Sequence, residues 1–253
     1  MRNIEIRRFA SLSYAGQEAI NTLCTNLSFA GEKTKKIMFT SSHASEGKSF
    51  LAMNVMRTMA KYGKSVVLVD ADLRRSYISS KYALRFENEE NKWGLAHLLA
   101  GMVDEDSVIY STNIEGAYMV PVGREVSNPM PLLNSEHFPE LLTRLSTMFD
   151  YVLLDAPPVG TVIDAAEIAK SCDGTLIVVN YNSVKRNELL EIKDQLEQTG
   201  CPIIGTVLNQ VEFDNYLSRK YYYKSYYSHY EYGDGREKAG TVKKKSAAKR
   251  EKK

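Results

Sequence analysis

The run Lys36-Ile37-Met38-Phe39-Thr40-Ser41 is apolar until it closes on a polar loop, and that loop ends in Gly47-Lys48-Ser49 before a helical stretch begins. Nothing else in the chain narrows its possible folds as much. A short apolar run bounded by polar residues predicts a buried strand. Residues 49–61 carry Leu51, Val55, Met56 and Met59 at helical spacing. A strand, a loop and then a helix puts the loop at the strand's carboxyl end, with backbone N–H groups and the helix N-terminus aimed at one spot, an arrangement that suits phosphate. Lys48 would reach the β- and γ-phosphates, and the Ser49 hydroxyl would bind Mg²⁺. The nucleotide-binding candidates are Ser42, Ser45, Glu46, Gly47, Lys48, Ser49 and Phe50. The first glycine of the pattern G-x-x-x-x-G-K-[ST] is replaced by Ser42, so a plain polar strand–helix turn is the competing reading of this loop.

The rest of the chain supplies the context that such a loop needs. Strands are predicted over 65–70, 117–121, 151–155, 175–180 and 202–208. Helices are predicted over 17–30, 93–99, 136–148, 164–170 and 184–199, and residues 1–15 read as a loosely docked arm. The strands are near-continuous apolar runs, the mark of a parallel sheet covered on both faces. The fold class expected is therefore α/β, P-loop NTPase-like, with a mostly parallel sheet and helices on both sides. Ligands of such sheets lie at the carboxyl ends of the strands. Two further ends are chemically loaded there: Asp70 and Asp72 follow Val67-Leu68-Val69, and Asp155 follows Leu153-Leu154. Mg²⁺ takes few protein carboxylates, keeping water and phosphate oxygens for the rest. A spare carboxylate near the γ-phosphate can accept the proton of an attacking hydroxyl.

The 253 residues are 43% hydrophobic and 25% charged, ordinary values for a globular protein. No stretch approaches the roughly 18 apolar residues of a membrane span, and the N-terminus lacks the apolar core of a secretory signal. Cys24, Cys172 and Cys201 are isolated, which suggests buried thiols in a reducing cytoplasm. The net charge of +2 hides an asymmetry, because residues 233–253 carry nine Lys/Arg against three Asp/Glu. Such a tail is solvated, or is drawn to anionic lipid or nucleic acid. The slightly acidic remainder argues against a nucleic-acid face.

Eight of the sixteen tyrosines crowd into residues 216–232: Tyr216, Tyr221, Tyr222, Tyr223, Tyr226, Tyr227, Tyr230 and Tyr232. This segment has almost no aliphatic residues and no apolar period with which to build a core. The chain is expected to divide into a domain over 1–215 and a disordered tyrosine-rich, basic tail over 216–253. Beside an ATP-type phosphate site, the tyrosines read as phosphoacceptors.

Together these residues resemble the bacterial tyrosine kinases of capsule and exopolysaccharide production, in the form typical of Firmicutes. The resemblance rests on the loop Thr40–Ser49, on Asp70-Ala71-Asp72-Leu73-Arg74, on Asp155-Ala156-Pro157-Pro158 and on the tyrosine cluster, and it covers roughly 14–232. It implies an ATP- and Mg²⁺-dependent protein-tyrosine kinase that phosphorylates its own cluster in trans. Lys48, Asp70 and Asp72 would be catalytic, with Asp70 first in line to activate the acceptor, Ser49, Asp72 and Asp155 would surround Mg²⁺, and the resemblance leaves open that Asp70 and Asp72 trade these roles. Glu18 would serve subunit contacts, and Arg74 would position phosphate or a neighbouring subunit. Its implied partners are a membrane-anchored activator or chain-length regulator, copies of itself and a tyrosine phosphatase, at the inner face of the cell membrane. The sequence departs from the family at Ser45, where a glycine is usual, at Ser76, where proline is common, and at Asn21 and Cys24, which stand where two interface arginines are expected. Two other readings stand beside it: a partition- or positioning-type P-loop ATPase, and a catalytically weak polysaccharide assembly factor.

Overall fold

The computed structural model describes residues 2–211, apart from residues 32, 89 and 182. The tyrosine cluster Tyr216–Tyr232 and the proposed boundary after residue 215 lie outside the described residues.

Nine strands form one sheet: β1 (Arg2–Ile6), β2 (Lys36–Ser41), β3 (Val66–Asp70), β4 (Leu84–Phe86), β5 (Tyr110–Thr112), β6 (Ala117–Val120), β7 (Tyr151–Asp155), β8 (Gly174–Asn180) and β9 (Ile203–Asn209). Their order across the sheet is β4-β1-β5-β6-β3-β7-β2-β8-β9. Six of the eight pairings are parallel; β1–β4 and β5–β6 are antiparallel. The helices are α1 (Tyr14–Ser28), α2 (Lys48–Lys61), α3 (Ile78–Lys81), α4 (Leu95–Leu99), α5 (Met130–Leu133), α6 (His137–Met148), α7 (Asp164–Ala169) and α8 (Arg186–Glu197).

Side chains alternate across a strand, so each central strand feeds two cores. Val66 and Leu68 point to the face covered by α1 and α2, whereas Val67 and Val69 point to the face covered by α4, α6, α7 and α8. Ile37 and Phe39 follow the first pair, and Met38 follows the second. All seven are fully buried. Each large side chain so buried contributes about 1.5–3 kcal/mol, which is why the central strands read as continuous apolar runs.

The N-terminal arm is a correction to expectation. Arg2–Ile6 is a sheet strand, antiparallel to β4 and parallel to β5, with Ile4 opposite both Phe86 and Thr112. Ile4 and Ile6 are buried while Glu5 between them is exposed. Two inward isoleucines among charged neighbours are too faint a signal to read locally, and partners of three residues each are fainter still. Helix α1 also starts earlier than predicted, because the Ser13 hydroxyl accepts from the Gly16 N–H at 3.1 Å and caps it.

Strand order decides the site. β3, β7 and β2 lie side by side, so the two acid-bearing ends and the phosphate loop share one edge of the sheet. Asp155 pairs in register with Asp70 on one side and with Phe39 on the other.

Candidate active site

The loop after β2 is held open by its backbone. Gly47, the residue before α2, sits at φ 98°, and a Cβ there would come within 2.0 Å of the Asn209 Nδ2. Glycine is required on both counts. Asn209, at the end of β9, donates through Nδ2 to the Glu46 carbonyl at 2.8 Å. The Glu46 side chain is buried and accepts from the His43 N–H at 2.9 Å, the Ser183 hydroxyl at 2.9 Å and the Asn180 N–H at 3.4 Å. The carboxylate therefore braces the loop against the end of β8. Ser42 is also fully buried, with its carbonyl against Gly160. Among the predicted nucleotide residues, Ser45, Gly47, Lys48, Ser49 and Phe50 line the cleft, and Ser42 and Glu46 do not.

That cleft has a volume of about 830 Å³ and is also lined by Asp72, Arg74, Arg75, Tyr77, Lys81, Asp155, Pro157, Asn209 and Gln210. Two of its residues are strained: Ser45 at φ 66° and Gln210 at φ 54° are non-glycine residues in the left-handed region. Ser45 is exposed, so its conformation is set by the loop, not by packing. Ser45→Gly is expected to raise unfolding stability by about 0.5–1 kcal/mol, since relief of roughly 1–2 kcal/mol of strain outweighs the added unfolded-state entropy. Urea unfolding checks this, and an unchanged midpoint would mean that Ser45 is not strained.

The three acids occupy different positions. Asp70 and Asp155 are buried, and each has one oxygen, Oδ1, without a hydrogen-bond partner among the described residues. The Ser76 hydroxyl donates to the other oxygen of Asp70. Asp70 does not line the cleft, whereas half-buried Asp72 does, with its Oδ1 accepting from the Arg75 N–H at 3.1 Å. Asp70 is therefore poorly placed for the expected role of receiving the acceptor's proton, and Asp72 is better placed. Burial, and then the Asp155 charge, push the Asp70 carboxyl well above the usual range. Burial also lifts Asp155 to about 6, against the pull of Lys48 and of a Ser49 hydrogen bond, and it raises Asp72.

These positions set a pH dependence. A carboxyl whose folded pKa is raised favours the fold below its unfolded pKa, and that contribution is lost as pH rises through the folded value. For Asp155 the loss spans roughly pH 4 to 6. A cation at the orphaned oxygens would reverse it. The stabilisation by MgCl2 with ADP, read as a melting-temperature shift, is therefore expected to be larger at pH 8 than at pH 5. A shift that does not grow with pH would rule out these carboxylates as the metal's seat.

Arg74, expected at a subunit contact, is committed within the chain. Its Nε and Nη2 donate to Asp164 at 2.5 and 3.0 Å, and Nη1 donates to the Ser127 carbonyl at 2.9 Å. Glu18 accepts from Asn21 on its own helix at 3.0 Å, and Asn21 in turn accepts from Gln17. The sequence reading missed Asp164, Ser183 and Lys81. Asp164 and Ser183 act on residues 90 and 137 positions away, and no local pattern reports that.

A mostly parallel sheet whose carboxyl edge carries this loop and these acids defines a P-loop nucleotide-binding protein. The comparisons narrow the class. The profile of a family described as AAA domain matches residues 34–199. The tyrosine-protein kinase CpsD of Streptococcus pneumoniae is 36% identical over 196 residues, covering 78% of this chain and 85% of the relative. The kinase domain of the Escherichia coli tyrosine kinase ETK superposes with a TM-score of 0.71 at 29% identity, covering 79% of each chain. The chimerical protein CapA2B2 gives 0.73 at 29% identity, covering 83% of this chain and 93% of that one. The chain belongs to the bacterial tyrosine kinase family and is a protein-tyrosine kinase.

Proposed function

We propose that this kinase transfers the γ-phosphoryl group of ATP to tyrosines of the 216–232 cluster on a second copy of itself, in capsule or exopolysaccharide production, beside a membrane-anchored activator. The observation that carries the catalytic part is the paired, partnerless Oδ1 atoms of Asp70 and Asp155 beside a phosphate loop, with Asp72 open to the same cleft. Buried carboxyl oxygens without donors suit a hard divalent cation, which favours their ionised form. Among the described residues no group of three or more His, Cys, Asp or Glu side chains stands ready to cage a metal, which fits a cation that arrives with phosphate oxygens. Ser49 and Asp155, with Asp70 behind them, would hold Mg²⁺, which when bound neutralises charge on the phosphates.

The chain's own residues do the rest. Lys48 and the loop amides hold the β- and γ-phosphates. Asp72 accepts the phenolic proton as the new O–P bond forms and the bond from the γ-phosphorus to the bridging oxygen breaks, releasing ADP. No helix among the described residues is long and apolar enough to cross a membrane, so attachment would come through the activator, with a tyrosine phosphatase resetting the cluster.

The test pairs two chains. A variant with all eight cluster tyrosines changed to Phe keeps the catalytic site, and a Lys48→Met chain keeps the cluster. Mixed with Mg-ATP and an activator's cytoplasmic segment, phosphotyrosine is expected on the Lys48→Met chain, mapped to 216–232 by mass spectrometry. ATP binding without phosphotyrosine on either chain would instead favour the assembly-factor reading.

A further inference from the structure

The segment that follows Asp72 builds one wall of the cleft, and its cations are of two kinds. Arg74 is consumed by Asp164 and the Ser127 carbonyl. Arg75 and Lys81 are not: among the described residues neither has a carboxylate within ion-pair distance, although Arg7, Lys36, Arg144, Lys170 and Lys193 all do. Each instead lies against an aromatic ring. The Arg75 guanidinium carbon is 5.1 Å from the centre of the Tyr77 ring, and the Lys81 ammonium is 5.7 Å from the centre of Phe50. All four side chains line the cleft, and Tyr77 is 48% exposed.

Lys48, Arg75 and Lys81 outnumber Asp72 and Asp155 among the charges lining the cleft once Arg74 is paired with Asp164, and a concave opening with an excess of positive charge attracts anions. Lys48 and the loop already serve the nucleotide's phosphates. A guanidinium fork beside an exposed ring suits an aryl phosphate, with phosphate on the fork and the phenyl group against the ring. The unmodified stretch 212–232 offers no net charge to such a rim, because Glu212, Asp214 and Glu231 balance Arg219, Lys220 and Lys224. Each phosphotyrosine adds roughly −1.5 to −2. The rim therefore distinguishes a cluster that already carries phosphate from one that does not.

Resting on the kinase reading above, we propose that Arg75 and Lys81 form a subsite for phosphotyrosine, which holds one modified residue of the 216–232 cluster while a neighbouring tyrosine is presented to Asp72. Phosphorylation of the cluster then accelerates as it proceeds.

The experiment uses the full chain with its cluster changed to Phe, so that it does not compete, and two peptides of residues 212–232 that differ only in phosphate on Tyr227. The phosphopeptide is expected to show a kcat/KM about tenfold higher for its remaining tyrosines, carried mainly by KM. This advantage should shrink in high salt. It should disappear in Arg75→Gln/Lys81→Gln, while that variant still turns over the unmodified peptide. Equal kcat/KM for the two peptides with the parent enzyme, or an advantage that survives in the double variant, would overturn the subsite. A third peptide with Glu at position 227 separates phosphotyrosine from negative charge alone, and equal use of the Glu and phosphotyrosine peptides also overturns it. If neither peptide is phosphorylated although ATP binds, the cluster is not the substrate, and the subsite falls with that reading.

Discussion

Lys48→Met is expected to cut phosphotyrosine formation by about a thousandfold or more while leaving the melting temperature nearly unchanged. Lys48 is the first residue of α2, is 8% exposed and lines the cleft beside Asp72 and Asp155. On the proposed assignment its charge meets the triphosphate where the transition state gathers charge. Removing one such donor from a water-poor site costs about 10²–10³ in rate, and Lys48 carries a full charge. Methionine keeps most of the side chain's length and apolar contact, so the packing of α2 should survive. Phosphotyrosine mapping and a thermal scan on the same sample decide the matter. Phosphorylation within tenfold of the parent would show that Lys48 does not contact the transferred group.

Arg74→Ala is expected to destabilise the domain by about 3–5 kcal/mol, and Asp164→Asn by only about 1–2 kcal/mol. The asymmetry follows from exposure. The Asp164 side chain is 1% exposed and both of its oxygens are bonded to Arg74, whose own side chain is 34% exposed. Removing the arginine strands a buried charge. Removing the carboxylate leaves a guanidinium that reaches water and an amide that still accepts one hydrogen bond. Urea midpoints of the two variants test this, and equal losses would mean that Asp164 can rehydrate. The pair joins the loop after Asp72 to the segment after Asp155, so both variants should also slow phosphotransfer.

Much of the protein is legible along the chain. β2 and β7 fall where their apolar runs end, and α2, α6 and α7 lie within a residue or two of their helical periodicity. The phosphate loop, Asp70, Asp72 and Asp155 announce themselves by standing just past buried strands. Ser45 is legible as well: a glycine position filled by serine predicts strain if the loop needs a positive φ, and the backbone there is left-handed.

What was not legible depends on partners distant in sequence. Nothing local to Glu46 indicates that its carboxylate accepts from Asn180 and Ser183. Arg74 looked free for a second subunit and is held by Asp164. Residues 1–15 read as a loosely docked arm, whereas β4 and β5 provide ladders on either side of Arg2–Ile6.

Sequence alone determined the types of the central elements, the phosphate loop and the three acids, because period, glycine placement and loop chemistry act over a few residues, whereas the short strands β1, β4 and β5 escaped it. Only the tertiary structure decided that β3, β7 and β2 are neighbours, that Asp70 and Asp155 stand in register on adjacent strands while Asp72 opens to the cleft, and that Arg74 is taken up by an ion pair while Arg75 and Lys81 have no carboxylate within ion-pair distance among the described residues. Strand order and ion pairing are settled by burial and charge compensation among residues some 85 to 140 positions apart, and no local pattern encodes which of the available partners will win.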